Sequence, residues 1–284
     1  MSIGKSTAVT YPAGEVTGRS AIVATVPAPG GTGVVVAETP FHPLDHTWPD
    51  QPADSGTLAG LPVADCVTGA VADGGDEVFL GADIPVRRGT PGWHWLVVHV
   101  VPGSPGQVGD EVELVVDAAG RRALSAGHTA CHLTALALNA ALAGRWRKEA
   151  PADGLGHPDF DQTAITSSRI LPGGSVDVYR LGKSLRKKGF VTEDLAGELP
   201  ELAGRVNDRL AGWISGDAPV RLGVPGPELT ARRTWHCALP EGEAVIPCGG
   251  THLRRTSELS AVTAAFELSE DGTQLTMRTT TAGV

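Results

Sequence analysis

The residues best suited to do chemistry in this 284-residue chain fall into two short groups. His128 and His132 lie four apart within ALSAGHTACHLTALALNAALAGRW (123–146), where Ala and Leu recur at helical spacing and Gly144 marks a stop. Residues four apart on a helix share a face, with Cβ atoms roughly 5–6 Å apart, so two imidazoles can reach one ion. Alone, the pair reads equally as two polar residues on an amphipathic face. Cys248 and His252 repeat the offset in Cys248-Gly249-Gly250-Thr251-His252, where the glycines let the backbone turn both side chains toward one point. Alone, this segment also reads as a strand end with a glycine turn. Together the groups offer three imidazoles and one thiolate, a donor set suited to tetrahedral Zn2+. A zinc protease of the H-E-x-x-H type is excluded, because Thr129 stands where the general base would be.

The surrounding sequence predicts the elements that position these groups. Residues 1–115 read as short strands between Gly/Pro turns: GVVVAET (33–39), VFLGADIPV (78–86), WHWLVVHVV (93–101) and DEVELVVD (110–117). That punctuation predicts a small N-terminal β-barrel over 1–117. Beyond it, 118–284 reads as an α+β domain with a mostly antiparallel sheet. It has the metal-bearing helix, a strand near SVDVYRL (175–181), a second helix over 195–215 and a final pair of strands joined at EDG (270–272).

Bulk composition narrows the function classes. The net charge of -9 argues against coating of extended nucleic acid, but a local basic patch can still grip one RNA end. Arg180, Lys183, Arg186, Lys187 and Lys188 form the densest positive stretch and could neutralise phosphates, or simply be a solvated helix face. No stretch reaches the roughly 18 apolar residues of a membrane span, and the N-terminus lacks the apolar core of a signal peptide. A cytoplasmic protein is therefore expected. Cys66, Cys131 and Cys237 are then thiols of the core rather than disulfide partners.

GHTACHL and PCGGTHLRRTSEL resemble the two zinc-binding signatures of the alanyl-tRNA synthetase editing domain, which also occurs in AlaX-type trans-editing proteins. TPFHP (39–43) and QPADSGTL (51–58) resemble the barrel motif of the longer AlaX proteins, so the resemblance covers most of the chain. It implies hydrolysis of the ester between a mischarged amino acid and the terminal adenosine of tRNA, typically seryl- or glycyl-tRNA, with zinc on His128, His132, Cys248 and His252. No ATP-binding or amino-acid-activating segment is apparent, which implies ATP-independent editing in trans. Where the family has a glycine-rich run before Gln-Pro, this chain has Leu44-Asp45-His46-Thr47-Trp48-Pro49-Asp50. In the family this loop borders the amino-acid pocket, so the change points to another amino acid. A branch of the family that acts on fluorothreonyl-tRNA is one fit. Gln51 and Asp54 are candidates to contact substrate or adenosine, or form an ordinary polar turn; Thr251 could hydrogen-bond the substrate or satisfy a backbone group; and His46 and Trp48 could line the altered pocket, with Trp48 also readable as plain packing under a loop. Two rivals stay open: a zinc-stabilised tRNA-binding module without catalysis, and a hydrolase or transferase of small aminoacyl derivatives.

Overall fold

The computed structural model describes residues 3–283, which fall into two compact units. One comprises the chain up to Arg121 with Val224–Arg233 and Gly249–Thr251. The other comprises Arg122–Gly223, Thr234–Cys248 and the chain from His252 onward.

The first unit is built on strands β1 (Ala8–Val9), β2 (Thr17–Ala28), β3 (Gly31–Val36), β4 (Glu38–Thr39), β5 (Gly56–Leu58), β6 (Leu61–Pro62), β7 (Asp65–Ala72), β8 (Val78–Leu80), β9 (Trp93–Val101) and β10 (Glu111–Val116). Eight of them form one sheet in the order β6-β5-β10-β2-β3-β9-β7-β8, with β1 and β4 paired separately. β2 links the two halves: Thr17–Ala21 pairs with β10, and from Ile22 onward, across an irregularity at Ile22/Ala24, it pairs with β3. β9 lies between β3 and β7, and its run from Trp95 to Val101 is buried throughout. β10 alternates instead, with Val112, Leu114 and Val116 inward and both glutamates out.

This sheet corrects the expected closed barrel. Among the described residues no ladder joins the end strands β6 and β8. β6 is two residues long and ends in Pro62, which has no N–H to donate, so it cannot carry a closing ladder. The VFLGADIPV segment is also shorter as a strand than expected. It stops at Leu80, where Gly81 takes φ +52° and a 3-10 turn follows.

The second unit takes up helix α1 (Ala118–Leu142) from Arg122 onward, followed by α2 (Phe160–Ala164), β11 (Ile165–Leu171), β12 (Gly174–Arg180), α3 (Lys183–Lys187), α4 (Leu195–Ser215), β13 (Val220–Gly223), β14 (Thr234–Leu239), β15 (Gly242–Pro247), β16 (Ala261–Leu268) and β17 (Gln274–Ala282). Two antiparallel sheets result, β11-β12-β17-β16 and β13-β14-β15. The α+β architecture with antiparallel sheets is as expected from the sequence. Asp117 starts α1 by accepting a hydrogen bond from the Ala119 N–H. The helix buries Ala126, Ala130, Leu133, Ala137 and Leu138 in one core with Leu202, Val206, Leu210 and Trp213 of α4. At Gly127 a Cβ would stand 2.3 Å from the Leu171 carbonyl oxygen and 2.5 Å from that of Gly174. Only glycine lets α1 cross the β11–β12 turn this closely, and that crossing fixes the level of the histidine pair one residue on. Among the described residues no helix is long and apolar enough to cross a membrane.

Candidate metal centre

α1 presents His128 and His132 one turn apart, their rings 4.9 Å between centroids. Cys248 is the first residue after β15, and His252 follows the three-residue loop beyond it. The four ligand atoms these residues offer all lie within 4.8 Å of one another. Nε2 of His252 is 3.2 Å and Nε2 of His128 is 3.4 Å from Cys248 Sγ. In a tetrahedron with bonds of about 2.3 Å to sulfur and about 2.0 Å to nitrogen, the S–N edge is about 3.5 Å, so these separations suit one zinc ion.

The electrostatics suit it too. His132 Nε2 is a buried polar atom with no hydrogen-bond partner among the described residues. Burial lowers the pKa of this imidazole from 6.5 to about 4, which keeps it in the neutral, lone-pair form a metal requires. Trp235 of β14, fully buried, packs its ring 5.1 Å from His132, and His132 stacks on His252 at 24°. His128 is buried, whereas His132, Cys248 and His252 are half-buried. The cluster therefore can hold an ion and is not sealed from solvent.

Beside it, Cys131 turns away from the four. Its thiol approaches the Asp177 carboxylate at 3.6 Å, where Ser168 and Ser175 donate at 2.6 and 2.7 Å. Burial pushes this thiol well above its ordinary range, so it stays protonated. Cys131 is half-buried and sits in this polar cluster rather than in the apolar core expected from the sequence.

Within the first unit, Gln51 and Thr251 are both buried and grip each other twice. The Gln51 amide donates to Thr251 Oγ1 at 2.9 Å, and the Thr251 N–H donates to Gln51 Oε1 at 3.0 Å. Tyr11 donates to the Gly249 carbonyl at 3.1 Å. Thus two of the three residues between Cys248 and His252 in the chain are anchored. Asp54 is also buried: Arg121 clasps both its oxygens, with Nε at 2.8 Å, and the His42 N–H donates at 2.5 Å. It fixes the loop that carries Gln51. His46 is half-buried, and Trp48 is 45% exposed at the loop tip. In the second unit Arg180 ends β12, and Lys183, Arg186 and Lys187 lie on α3, with Lys188 next; all are exposed. α3 is anchored by the buried Leu185.

Two residues at the centre carried no signal in the sequence beyond their types. Nothing in the sequence marks Trp235 as a neighbour of the cluster. Thr129 reads only as the residue that replaces a glutamate, yet its hydroxyl lies 3.2 Å from His252 Nδ1.

No family model matches the chain. Over 200 residues, 68% of its length, it is 30% identical to the alanine-tRNA ligase of Anaeromyxobacter sp. (strain Fw109-5). That match spans 19% of the relative, so the similarity is to one segment of a much longer protein.

Proposed function

We propose that this chain is a zinc-dependent aminoacyl-tRNA deacylase that removes wrongly attached amino acids in trans. The observation that carries this reading is the meeting of His128, His132, Cys248 and His252 in a chain similar to a segment of an alanine-tRNA ligase. The donor set and the 3.2 and 3.4 Å sulfur–nitrogen edges favour zinc. When bound, zinc would orient the aminoacyl group and polarise its ester carbonyl while a nearby water attacks. The half-buried state of three ligand residues favours a working centre over a closed structural one.

The protein's own residues divide the remaining tasks. Gln51 and Thr251 contact the aminoacyl ester or the terminal adenosine, and Asp54 holds the Gln51 loop through Arg121. His46 and Trp48 border the amino-acid side chain. Their replacement of a glycine-rich run favours a threonine-like residue, such as fluorothreonine, beside the seryl and glycyl substrates. Arg180, Lys183, Arg186, Lys187 and Lys188 hold acceptor-stem phosphates. The work needs no ATP and belongs in the cytoplasm, where aminoacyl-tRNA is made. Residues 118–284 form the editing domain, and 1–117 form the N-terminal sheet domain.

The direct test is a deacylation panel of seryl-, glycyl-, threonyl- and fluorothreonyl-tRNA, with and without chelator. Hydrolysis of at least one substrate, lost on chelation and in His252→Ala, is expected. Binding of tRNA without hydrolysis would instead make the chain a zinc-stabilised binding module. Hydrolysis of free aminoacyl esters with no preference for tRNA would make it a small-molecule hydrolase. Lys187→Glu with Lys188→Glu should weaken tRNA binding and flatten its salt dependence, since each lost phosphate contact lowers the counterion slope by about 0.7–0.9. Unchanged binding would assign the stem to another surface.

A further inference from the structure

We infer that Thr129 is a positioning residue that prepares His252 to bind metal through Nε2; this rests on the metal-centre reading above. Thr129 is fully buried and follows His128 on α1. Its Oγ1 lies 3.1 Å from the Leu253 nitrogen and 3.2 Å from His252 Nδ1. A backbone N–H only donates, so Oγ1 is the acceptor toward Leu253. A hydroxyl can donate its own proton or accept through its second lone pair; in the inferred arrangement it accepts the Nδ1–H of His252.

A bond in that direction selects one tautomer. With the proton on Nδ1, the lone pair is on Nε2, and Nε2 is the nitrogen that faces Cys248 Sγ at 3.2 Å. With the tautomer reversed, a proton would occupy the position the metal needs. The same hydroxyl holds both the ring and the amide of the next residue. It thereby ties the segment carrying His252 to the helix carrying His128 and His132 before any ion arrives. Valine at this position keeps the shape but removes both acceptor roles, whereas serine keeps them.

Zinc affinity of the whole protein is measured by competition with a chromophoric chelator, and the ligand field is read from the absorption bands of the cobalt-substituted form. Thr129→Val should bind zinc about tenfold to a hundredfold more weakly and shift the cobalt bands. Thr129→Ser should match the parent in both. A Thr129→Val protein with parental affinity and bands would overturn the inference. Should that variant fail to fold, the metal-free parent decides alone: long-range 1H–15N spectra should show His252 protonated at Nδ1, and protonation at Nε2 would contradict the proposal. A parent that binds no zinc at all would instead defeat the metal-centre reading, so the two failures are distinct.

Discussion

His99 gives the fold a built-in sensitivity to acid that can be worked out in advance. It sits on β9, with no exposed surface. Nδ1 lies 3.1 Å from the Val34 carbonyl and Nε2 2.9 Å from Thr39 Oγ1, while Phe41 meets the ring edge-on. A carbonyl can only accept, so Nδ1 carries the proton and Nε2 accepts from the threonine. Burial lowers the imidazole from its ordinary 6.5 to about 4, and the Val34 hydrogen bond only partly offsets this. The folded pKa is depressed, so the unfolded chain binds the extra proton first. The stability tied to a neutral His99 is therefore complete above about pH 6.5 and is lost as pH falls toward 4. At about 1.36 kcal/mol per pKa unit, a full gap of 6.5 to about 4 is worth about 3 kcal/mol, of which about 2.5 is already lost near pH 4.5. His99→Gln keeps a donor for Val34 and an acceptor for Thr39 but does not titrate. Urea unfolding of both proteins from about pH 7.5 to about 4.5 should show the parent losing about 2.5 kcal/mol more than the variant. Every other group, the metal centre and His42 included, cancels in the difference. Equal losses would show that His99 is not held neutral in the fold, and the argument from its burial would fail.

Two structural predictions concern one residue in each unit. Asp54→Asn removes the charge that neutralises the buried Arg121 guanidinium, and melting should reveal a cost of about 3 kcal/mol; an unchanged melting temperature would mean the pair is not a structural tie. Gly127→Ala places a Cβ within 2.5 Å of two carbonyl oxygens of the β11–β12 turn. It should cost about 1–3 kcal/mol of stability in urea unfolding, and a neutral effect would show that the α1 crossing is looser than described.

How far the sequence could be read depended on where each signal lies. The four candidate ligands were legible because their types are chemically distinctive and each pair's spacing is local. α4 was legible because Leu195, Leu202, Val206, Leu210 and Trp213 keep to one helical face. β9 was legible from its unbroken apolar run. β2 and β7 escaped notice because their patterns do not alternate cleanly. β7 has Gly69 in its middle, where a Cβ would meet a Val98 methyl at 2.8 Å, so a packing need interrupts the strand signal. Barrel closure depends on pairing between segments far apart in sequence, and nothing local showed that β6 would be too short to close it. The same limit hid Thr129 and the Gln51–Thr251 clasp. Each is a contact across more than a hundred residues, between types that are ordinary anywhere on a surface.

The central claim is that one ion is held by His128, His132, Cys248 and His252, and zinc K-edge X-ray absorption on the purified protein addresses it most directly. One zinc per chain is expected, with a single sulfur at about 2.3 Å and nitrogen neighbours at about 2.0–2.1 Å. Protein free of zinc after expression in zinc-replete medium, or a shell with no sulfur, would contradict it.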